Sequence, residues 1–271
     1  MYTIISILIV TIVFCELSVY SFGYFAKNKT IFLKALLPFM IITHHTHLFD
    51  GDFYYVGAFV VSLFFFISGY GLESKRKVNT ISNKWFVRSL KKLTIPLIVP
   101  IVIYMGIRLC KTPLNTIIAE DILKYQLVLP HTWFVLTLIL IYVIYHICVT
   151  LQQKLKKPSF LIVITVAILT FNFFGKYLGV PSWGRNTTTA FLAGIFYKEY
   201  EGYLVNWLNK KIMLWTISLS MAIVLVTMFI QGDLFTINSI VTRPVSAFCW
   251  SLLFMVSFSI VPERVGGGVK L

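Results

Sequence analysis

Residues 34–50, KALLPFMIITHHTHLFD, form a mostly apolar stretch that is long enough to cross a lipid bilayer. The stretch begins with Lys34 and ends with three histidines and an aspartate. Ionisable side chains are costly in hydrocarbon, so a membrane helix that carries several of them predicts a functional site. The stretch therefore predicts both a membrane fold and a site within it.

The composition of the whole chain agrees with a membrane protein. Of its 271 residues 58% are hydrophobic and 13% are charged, and the mean hydropathy is +0.84. Soluble domains have about a quarter of their residues charged. The net charge of +14 does not indicate a nucleic-acid partner, because the lysines and arginines lie in short loops between apolar runs. Four widely spaced cysteines predict neither a disulfide framework nor a zinc site.

Apolar runs of about the length that crosses a bilayer recur along the chain. The nine candidates are residues 2–25, 32–49, 54–73, 93–109, 132–152, 158–174, 186–200, 212–231 and 237–261. No internal repeat or soluble domain separates them. The predicted fold class is therefore all-α, a polytopic transmembrane helix bundle in a single domain over residues 1–271.

The loops between these runs alternate in charge. Basic residues dominate every second loop, and the clearest case is the loop at 74–92, which holds seven lysines and arginines. The positive-inside rule assigns such loops to the cytoplasm and hence the N-terminus to the outside. No basic region precedes the first apolar run, so a retained helix is expected there instead of a cleaved signal. The predicted location is the cytoplasmic membrane, crossed many times.

This topology assigns each end of residues 34–50 to one side of the membrane. Lys34 is expected at the cytoplasmic end and the histidines at the outer end. Lys34 and His45 are eleven residues apart, which is three helical turns plus ~20°, so they share one face ~16 Å apart. His44 and His47 do not lie on that face. Histidine also suits proton transfer near neutral pH.

Two alternatives remain open for these residues at this point. Lys34 could extend its ammonium group to the inner membrane interface without any further role. His44 and His47 are spaced i, i+3 and could bind a metal ion together with Asp50 or His131. That second alternative would make the chain a membrane metalloprotein.

Two further motifs follow along the chain. In LFFFISGYGL, residues 63–72, the Ser68–Gly69 pair predicts close helix packing. In WFVRSLKKLTIPLIVP, residues 85–100, Arg88, Lys91 and Lys92 are spaced to share one helical face at the cytoplasmic surface. That face could be a topology signal, a contact with lipid headgroups, or a site for a phosphorylated cytosolic cofactor.

The outer side carries its own polar residues. PHTWFVL, residues 130–136, opens the fifth apolar run and places His131 and Trp133 near the outer interface. Arg185 and Arg243 also fall in the outer half. Arg243 lies within an apolar run, so it requires a partner or a water-filled cavity.

Taken in order, these motifs resemble membrane-bound acyltransferase family 3, which includes bacterial O-acetyltransferases of surface glycans. The family's Arg-x10-His motif matches Lys34 and His45, with lysine in place of arginine. FFFISGYGL, RSLKKLTIP, HTWF and FLAGIFY resemble later family motifs. The resemblance spans about residues 30–261. The family has about ten helices, so it implies one helix more than the nine found here.

The resemblance implies transfer of an acyl group, expected to be acetyl from acetyl-CoA, from cytosolic acyl-CoA to a carbohydrate hydroxyl on the outer side. His45 would be the catalytic residue, acting as a base or carrying the acyl group. The donor would be held by Lys34, Arg88, Lys91 and Lys92. The acceptor side would involve His44, His131, Trp133, Arg185 and Arg243. The implied partners are the lipid bilayer, acyl-CoA and a glycan, with no metal ion.

A transporter or flippase is the alternative from another functional class. Its His and Arg groups would form a proton relay or a substrate path. Such proteins often show inverted repeats with helices broken by Gly or Pro at matching positions. The sequence shows no convincing repeat of this kind.

Overall fold

The computed structural model describes residues 33–34, 36–42, 56–78, 82–123, 132–155, 159–177, 179–208, 244–245, 247–252 and 254–255. Every regular element among them is helical, which confirms the all-α class for this part of the chain. The named helices are α1 (Val56–Val78), α2 (Asn83–Leu109), α3 (Leu114–Leu123), α4 (Trp133–Leu155), α5 (Phe160–Phe174), α6 (Ser182–Asn186) and α7 (Thr188–Leu208). Residues 33–34, 36–42 and several between 244 and 255 are also helical.

Several helix boundaries differ from those expected from the apolar runs. α1 continues past residue 73 to Val78, and α2 begins at Asn83 instead of residue 93. The segment 110–131, predicted as a loop, contains α3. At α2 the physical reason is a cap: the Ser82 side chain accepts a hydrogen bond from the Trp85 backbone N–H at 3.3 Å. Hydropathy marks where the apolar run begins, whereas the capping group marks where the helix begins.

Two helices among the described residues are long and apolar enough to cross a bilayer. They are Asn83–Leu109 and Trp133–Lys154. Phe160–Phe174 is apolar but shorter. No residue of α2 is buried, although the helix is rich in isoleucine and valine. A helix of this kind requires an apolar environment outside the described protein surface.

The chain packs as two compact units. The first unit comprises Met1–Ser74 and Thr189–Leu271, and the second comprises Lys75–Thr188. The second unit holds 15 of the 24 lysines and arginines but only 2 of the 10 acids, and so carries +13 of the +14 net charge. The charge of the molecule is therefore concentrated in one unit.

The first unit is built around a crossing of α1 and α7. A Cβ atom at Gly69 would collide with the Phe191 backbone carbonyl, and one at Gly194 would collide with the backbone of Phe66 and Tyr70. The close packing expected for Gly69 is therefore confirmed. Beside the crossing lies an apolar core that includes Leu33, Leu37, Val60, Leu63, Phe66, Ile67, Tyr197, Val205 and Met255.

The second unit contains an antiparallel pair, α4 and α5. Tyr145 of α4 packs edge-on against Phe160 at the start of α5, with ring centroids 5.4 Å apart. At the end of α2, Arg108 Nη1 pairs with Asp121 at 2.7 Å and Nη2 pairs with Glu120 at 2.9 Å. This double ion pair ties the end of α2 to the end of α3.

The glycines in the first unit provide a test of the crossing. We expect Gly69→Ala and Gly194→Ala each to destabilise the protein by about 1–3 kcal/mol, because the added methyl group meets rigid backbone. Gly71 and Gly202 lie on the same two helices with nothing within 4 Å of an added Cβ. Alanine there should be neutral or stabilising by about 0.4–1 kcal/mol. Thermal unfolding in detergent would measure all four, and equal effects across the set would contradict the crossing.

Candidate functional site

The residues proposed from the sequence divide into those that the structure describes and those that it does not. His44, His45, His47, His131 and Arg243 lie outside the described residues. Lys34, Arg88, Lys91, Lys92, Trp133 and Arg185 lie within them. No group of three or more His, Cys, Asp or Glu within the described ranges could hold a metal ion. The metal alternative rested on histidines outside those ranges, so it stays untested.

Lys34 belongs to the first unit and is exposed. Its neighbour Leu33 and the next-turn residue Leu37 are buried in the core of that unit. The 33–42 segment therefore packs one face inward and carries Lys34 beside that face. This agrees with the expected helix around Lys34. That Lys34 and His45 share one face of the helix stays a prediction.

Arg88, Lys91 and Lys92 lie on α2 in the second unit, and all three are exposed. The opposite face of α2 contacts α4 through Asn83 and Phe86. At 100° per residue, the three cations point roughly 160° away from that contact. They form a basic face that the rest of the second unit leaves uncovered, available to an anionic partner.

A cluster that we name the Phe160 cluster joins three helices of the second unit to the end of a fourth. Its members are Arg76, Asn83, Phe86, Tyr145, His146 and Phe160. The Arg76 guanidinium lies over the Phe160 ring, 4.2 Å from its centroid. The His146 ring stacks on Phe86 with centroids 4.2 Å apart, and its Nε2 is 3.1 Å from Asn83 Oδ1.

A second cluster, the Arg185 cluster, lies where α4 begins and α5 ends. Its members are Trp133, Thr137, Asn172, Gly175, Val180, Gly184, Arg185 and Thr188. A Cβ atom at Gly184 would lie 3.1 Å from Thr137 Oγ1 and 3.4 Å from Trp133 Cε3. The absence of a side chain at Gly184 lets α6 approach the start of α4. The structure thus brings together Trp133 and Arg185, two residues assigned to the acceptor side.

Arg185 itself is 8% exposed and held by backbone oxygens. Its Nε donates to the Val180 carbonyl and its Nη1 to the Asn172 carbonyl, both at 3.1 Å. In return, Asn172 Nδ2 donates to the Arg185 carbonyl at 2.9 Å. The aliphatic part of the side chain packs over Gly175, where a Cβ would lie 3.0 Å from Arg185 Cδ. These contacts fix the guanidinium in one orientation.

The two clusters lie at opposite ends of the α4–α5 pair. Tyr145 is twelve residues after Trp133, and Asn172 is twelve residues after Phe160. Both intervals correspond to ~18 Å along a helix. The second unit therefore holds a fixed buried guanidinium ~18 Å from a region rich in exposed cations.

The first unit contains a buried ionic network of its own. Glu201 is 2% exposed, accepts a hydrogen bond from Tyr70 Oη at 2.9 Å, and pairs with Lys198 Nζ at 2.6 Å. Lys198 Nζ also lies 5.2 Å from the centroid of the Tyr70 ring. Because this carboxylate has a cation and a hydroxyl as partners, its charge is compensated within the unit.

Sequence reasoning missed several of these residues. His146 and Asn172 are polar residues inside apolar runs, in IYHICV and LTFNFFG. A buried polar group needs a partner, so each was a visible signal for a specific contact. Glu201 gave no such signal, because it lies among charged residues near the end of its run and its burial depends on tertiary packing.

Asn172 provides a test of the Arg185 cluster that keeps the guanidinium in place. Asn172→Leu should lower the free energy of unfolding by about 1–3 kcal/mol, because the side chain's donors to Arg185 and Thr188 are lost. The control on the same helix is Thr165→Val, which removes a buried hydroxyl that has no partner. That change should be neutral or stabilising. Thermal unfolding that ranks the two in the reverse order would contradict this description of the cluster.

Comparisons with known proteins identify the family. No curated protein and no solved structure matches the chain. A model of the family 3 acyltransferase domain matches residues 7–267. This range includes both units almost completely, and it contains the ordered motifs on which the resemblance was based. The chain therefore belongs to acyltransferase family 3, and its class of activity is acyl transfer.

Proposed function

We propose that the protein is an integral-membrane enzyme that transfers an acyl group, most simply acetyl, from cytosolic acyl-CoA to a carbohydrate hydroxyl on the outer side. The protein would be located in the cytoplasmic membrane, with its N-terminus outside. The observation that supports this most directly is the arrangement of charge along the α4–α5 pair. Family membership supports the acyl-transfer chemistry.

The charge arrangement supports a cytosolic assignment for the Phe160 cluster. Residues 75–92, which end α1 and begin α2, include Lys75, Arg76, Lys77, Lys84, Arg88, Lys91 and Lys92. Near the Arg185 cluster, the described cations on residues 172–188 are Lys176 and Arg185. The positive-inside rule favours the lysine-rich end in the cytosol. The Arg185 cluster is then directed to the outer side.

The same arrangement fits the chemistry of the donor and the acceptor. Acyl-CoA carries phosphates, which exposed arginine and lysine side chains bind well, and it cannot cross hydrocarbon. Arg88, Lys91 and Lys92 therefore hold the donor on the cytosolic side, and Lys34 has the same role in the first unit. The acceptor binds on the outer side, where His44, His131, Trp133, Arg185 and Arg243 are assigned.

In the overall reaction, the acceptor hydroxyl oxygen forms an ester bond to the acyl carbon and the carbon–sulfur bond of the thioester breaks. The hydroxyl proton is removed by His45 as general base and returns to the departing thiolate of CoA. If the acyl group is first carried by His45, an acyl–imidazole bond forms as the carbon–sulfur bond breaks, and the imidazole N–H proton passes to the thiolate. The acceptor hydroxyl then displaces the imidazole, which takes the hydroxyl proton. The labelled-acyl assay tests the whole proposal: purified protein in membranes should move label from acetyl-CoA to glycan.

The catalytic assignment has a matched control two residues along the chain. We expect His45→Ala to lower kcat by about 10²–10⁴-fold, because the base or acyl carrier is lost. His47→Ala should retain wild-type turnover, since a helical spacing of two residues would turn His47 ~200° away from His45. Label transfer and thermal unfolding are measured on both variants. Normal turnover by a folded His45→Ala protein would show that the assignment is wrong.

The donor assignment is tested on the basic face of α2. The triple change Arg88→Gln, Lys91→Gln and Lys92→Gln should raise the KM for acetyl-CoA by about tenfold or more, with a smaller effect on kcat. Raised salt should weaken the wild-type donor affinity and affect the triple variant less. Lys111→Gln, which removes an exposed cation after α2, is the control. An unchanged KM in the triple variant would exclude this face as the donor site.

A further inference from the structure

Arg185 is a buried cation in a unit that offers it no carboxylate. Residues 75–188 contain only two acids, Glu120 and Asp121. Both are bound to Arg108, at 2.9 and 2.7 Å. The groups that do contact the Arg185 guanidinium are neutral backbone carbonyls of Asn172 and Val180. Its positive charge is therefore solvated by dipoles but not neutralised within the unit.

The guanidinium also has donors to spare. It carries five N–H groups, and two of them serve the Val180 and Asn172 carbonyls. The other three have no hydrogen-bond partner among the described residues. Arg185 keeps 8% of its surface exposed, so the residue is not completely enclosed. A small anionic group that reaches Arg185 could accept hydrogen bonds from these N–H groups.

Such a set of N–H donors favours one kind of ligand. A buried charge is costly unless it is paired, so an anion that reaches it gains more than an exposed ion pair would. Arginine presents parallel N–H groups that match the oxygens of a carboxylate or phosphate. Because the carbonyls already fix the side chain, little conformational entropy is lost when the anion binds.

We propose that Arg185 binds an anionic group of the acceptor, so that the acceptor is an acidic glycan. The anion is a carboxylate or a phosphate ester on the sugar that is acylated or on its neighbour. This inference rests on the proposed function, and it names the chemical class of the acceptor. The ~18 Å between the two ends of the α4–α5 pair favours the acceptor over the phosphates of CoA as the source of the anion.

The experiment compares three acceptors in lipid nanodiscs. They are a trisaccharide with one glucuronic acid, its carboxyl-reduced glucose twin, and the glucose twin with one phosphate monoester. Wild-type protein should use one or both acidic acceptors with a kcat/KM about tenfold or more above that of the neutral twin. Preference for the first indicates a carboxylate, and preference for the third indicates a phosphate.

The variant is Arg185→Lys, which keeps the charge and loses the paired donors. It should lose most of the acidic preference through a raised acceptor KM, while the KM for acetyl-CoA stays at the wild-type value. Lys176→Gln is the control, because it removes an exposed cation from the same connection between α5 and α6. If Arg185→Lys does not fold, the comparison of acceptors on wild-type protein still decides whether the enzyme prefers an acidic acceptor.

Three outcomes would overturn the inference. Equal use of the acidic and neutral acceptors by wild-type protein would do so while leaving acyl transfer established. A raised KM for acetyl-CoA in Arg185→Lys would assign the anion to the donor. If no acceptor is labelled, the proposed function fails, and calorimetric titration then tests the anion site alone. Tighter binding of an acidic than of the neutral trisaccharide by wild-type protein, with the difference lost in Arg185→Lys, would support the site. Equal binding of the acidic and neutral trisaccharides would contradict it.

Discussion

Residues 75–188 contain only two carboxylates beside fifteen lysines and arginines, and this scarcity limits how the second unit can hold its positive charge. The double ion pair at Arg108 involves both acids of the second unit, and two carboxylates are far too few to balance the other cations of that unit. Exposed lysines on α1 and α2 can face water and lipid phosphate, where a charge costs little. Arg185 is buried instead, and backbone carbonyls hold its guanidinium. The same shortage thus produces two different surroundings for positive charge, one open and mobile and one fixed.

The two units handle ionic groups in opposite ways. In the first unit, Glu201 is buried with Lys198 and Tyr70, so its charge is compensated where α1 and α7 cross. In the second unit, Arg185 is oriented by carbonyls and keeps part of its hydrogen-bonding capacity. A compensated network rigidifies a core. A fixed but incompletely paired cation is suited to bind a substrate, which is why the acceptor proposal rests on Arg185.

Much of the helical structure could be predicted from hydropathy alone, because several of the helices are apolar over most of their length. The helices around residues 56–73, 133–152 and 160–174 appear where the apolar runs are. Hydropathy does not locate the helix ends. α2 begins ten residues before the apolar run 93–109, because Ser82 caps a first turn whose residues are too polar to belong to that run. Close packing at Gly69 could be read from a small residue in an aromatic block. The contacts of His146 with Asn83 and of Glu201 with Tyr70 could not, because each joins residues more than sixty positions apart.

Acyl transfer across a bilayer is the property that distinguishes the proposed activity from transport and from acyl transfer on one side of the membrane. The measurement uses proteoliposomes of uniform orientation, with labelled acetyl-CoA on the side of residues 75–92 and an impermeant glycan on the other side. The account predicts labelled glycan in this arrangement, with acetyl-CoA staying on its own side, and none when both substrates are on the glycan side. Transfer only when both substrates share one side, or passage of intact acetyl-CoA or glycan across the bilayer without transfer, would contradict it.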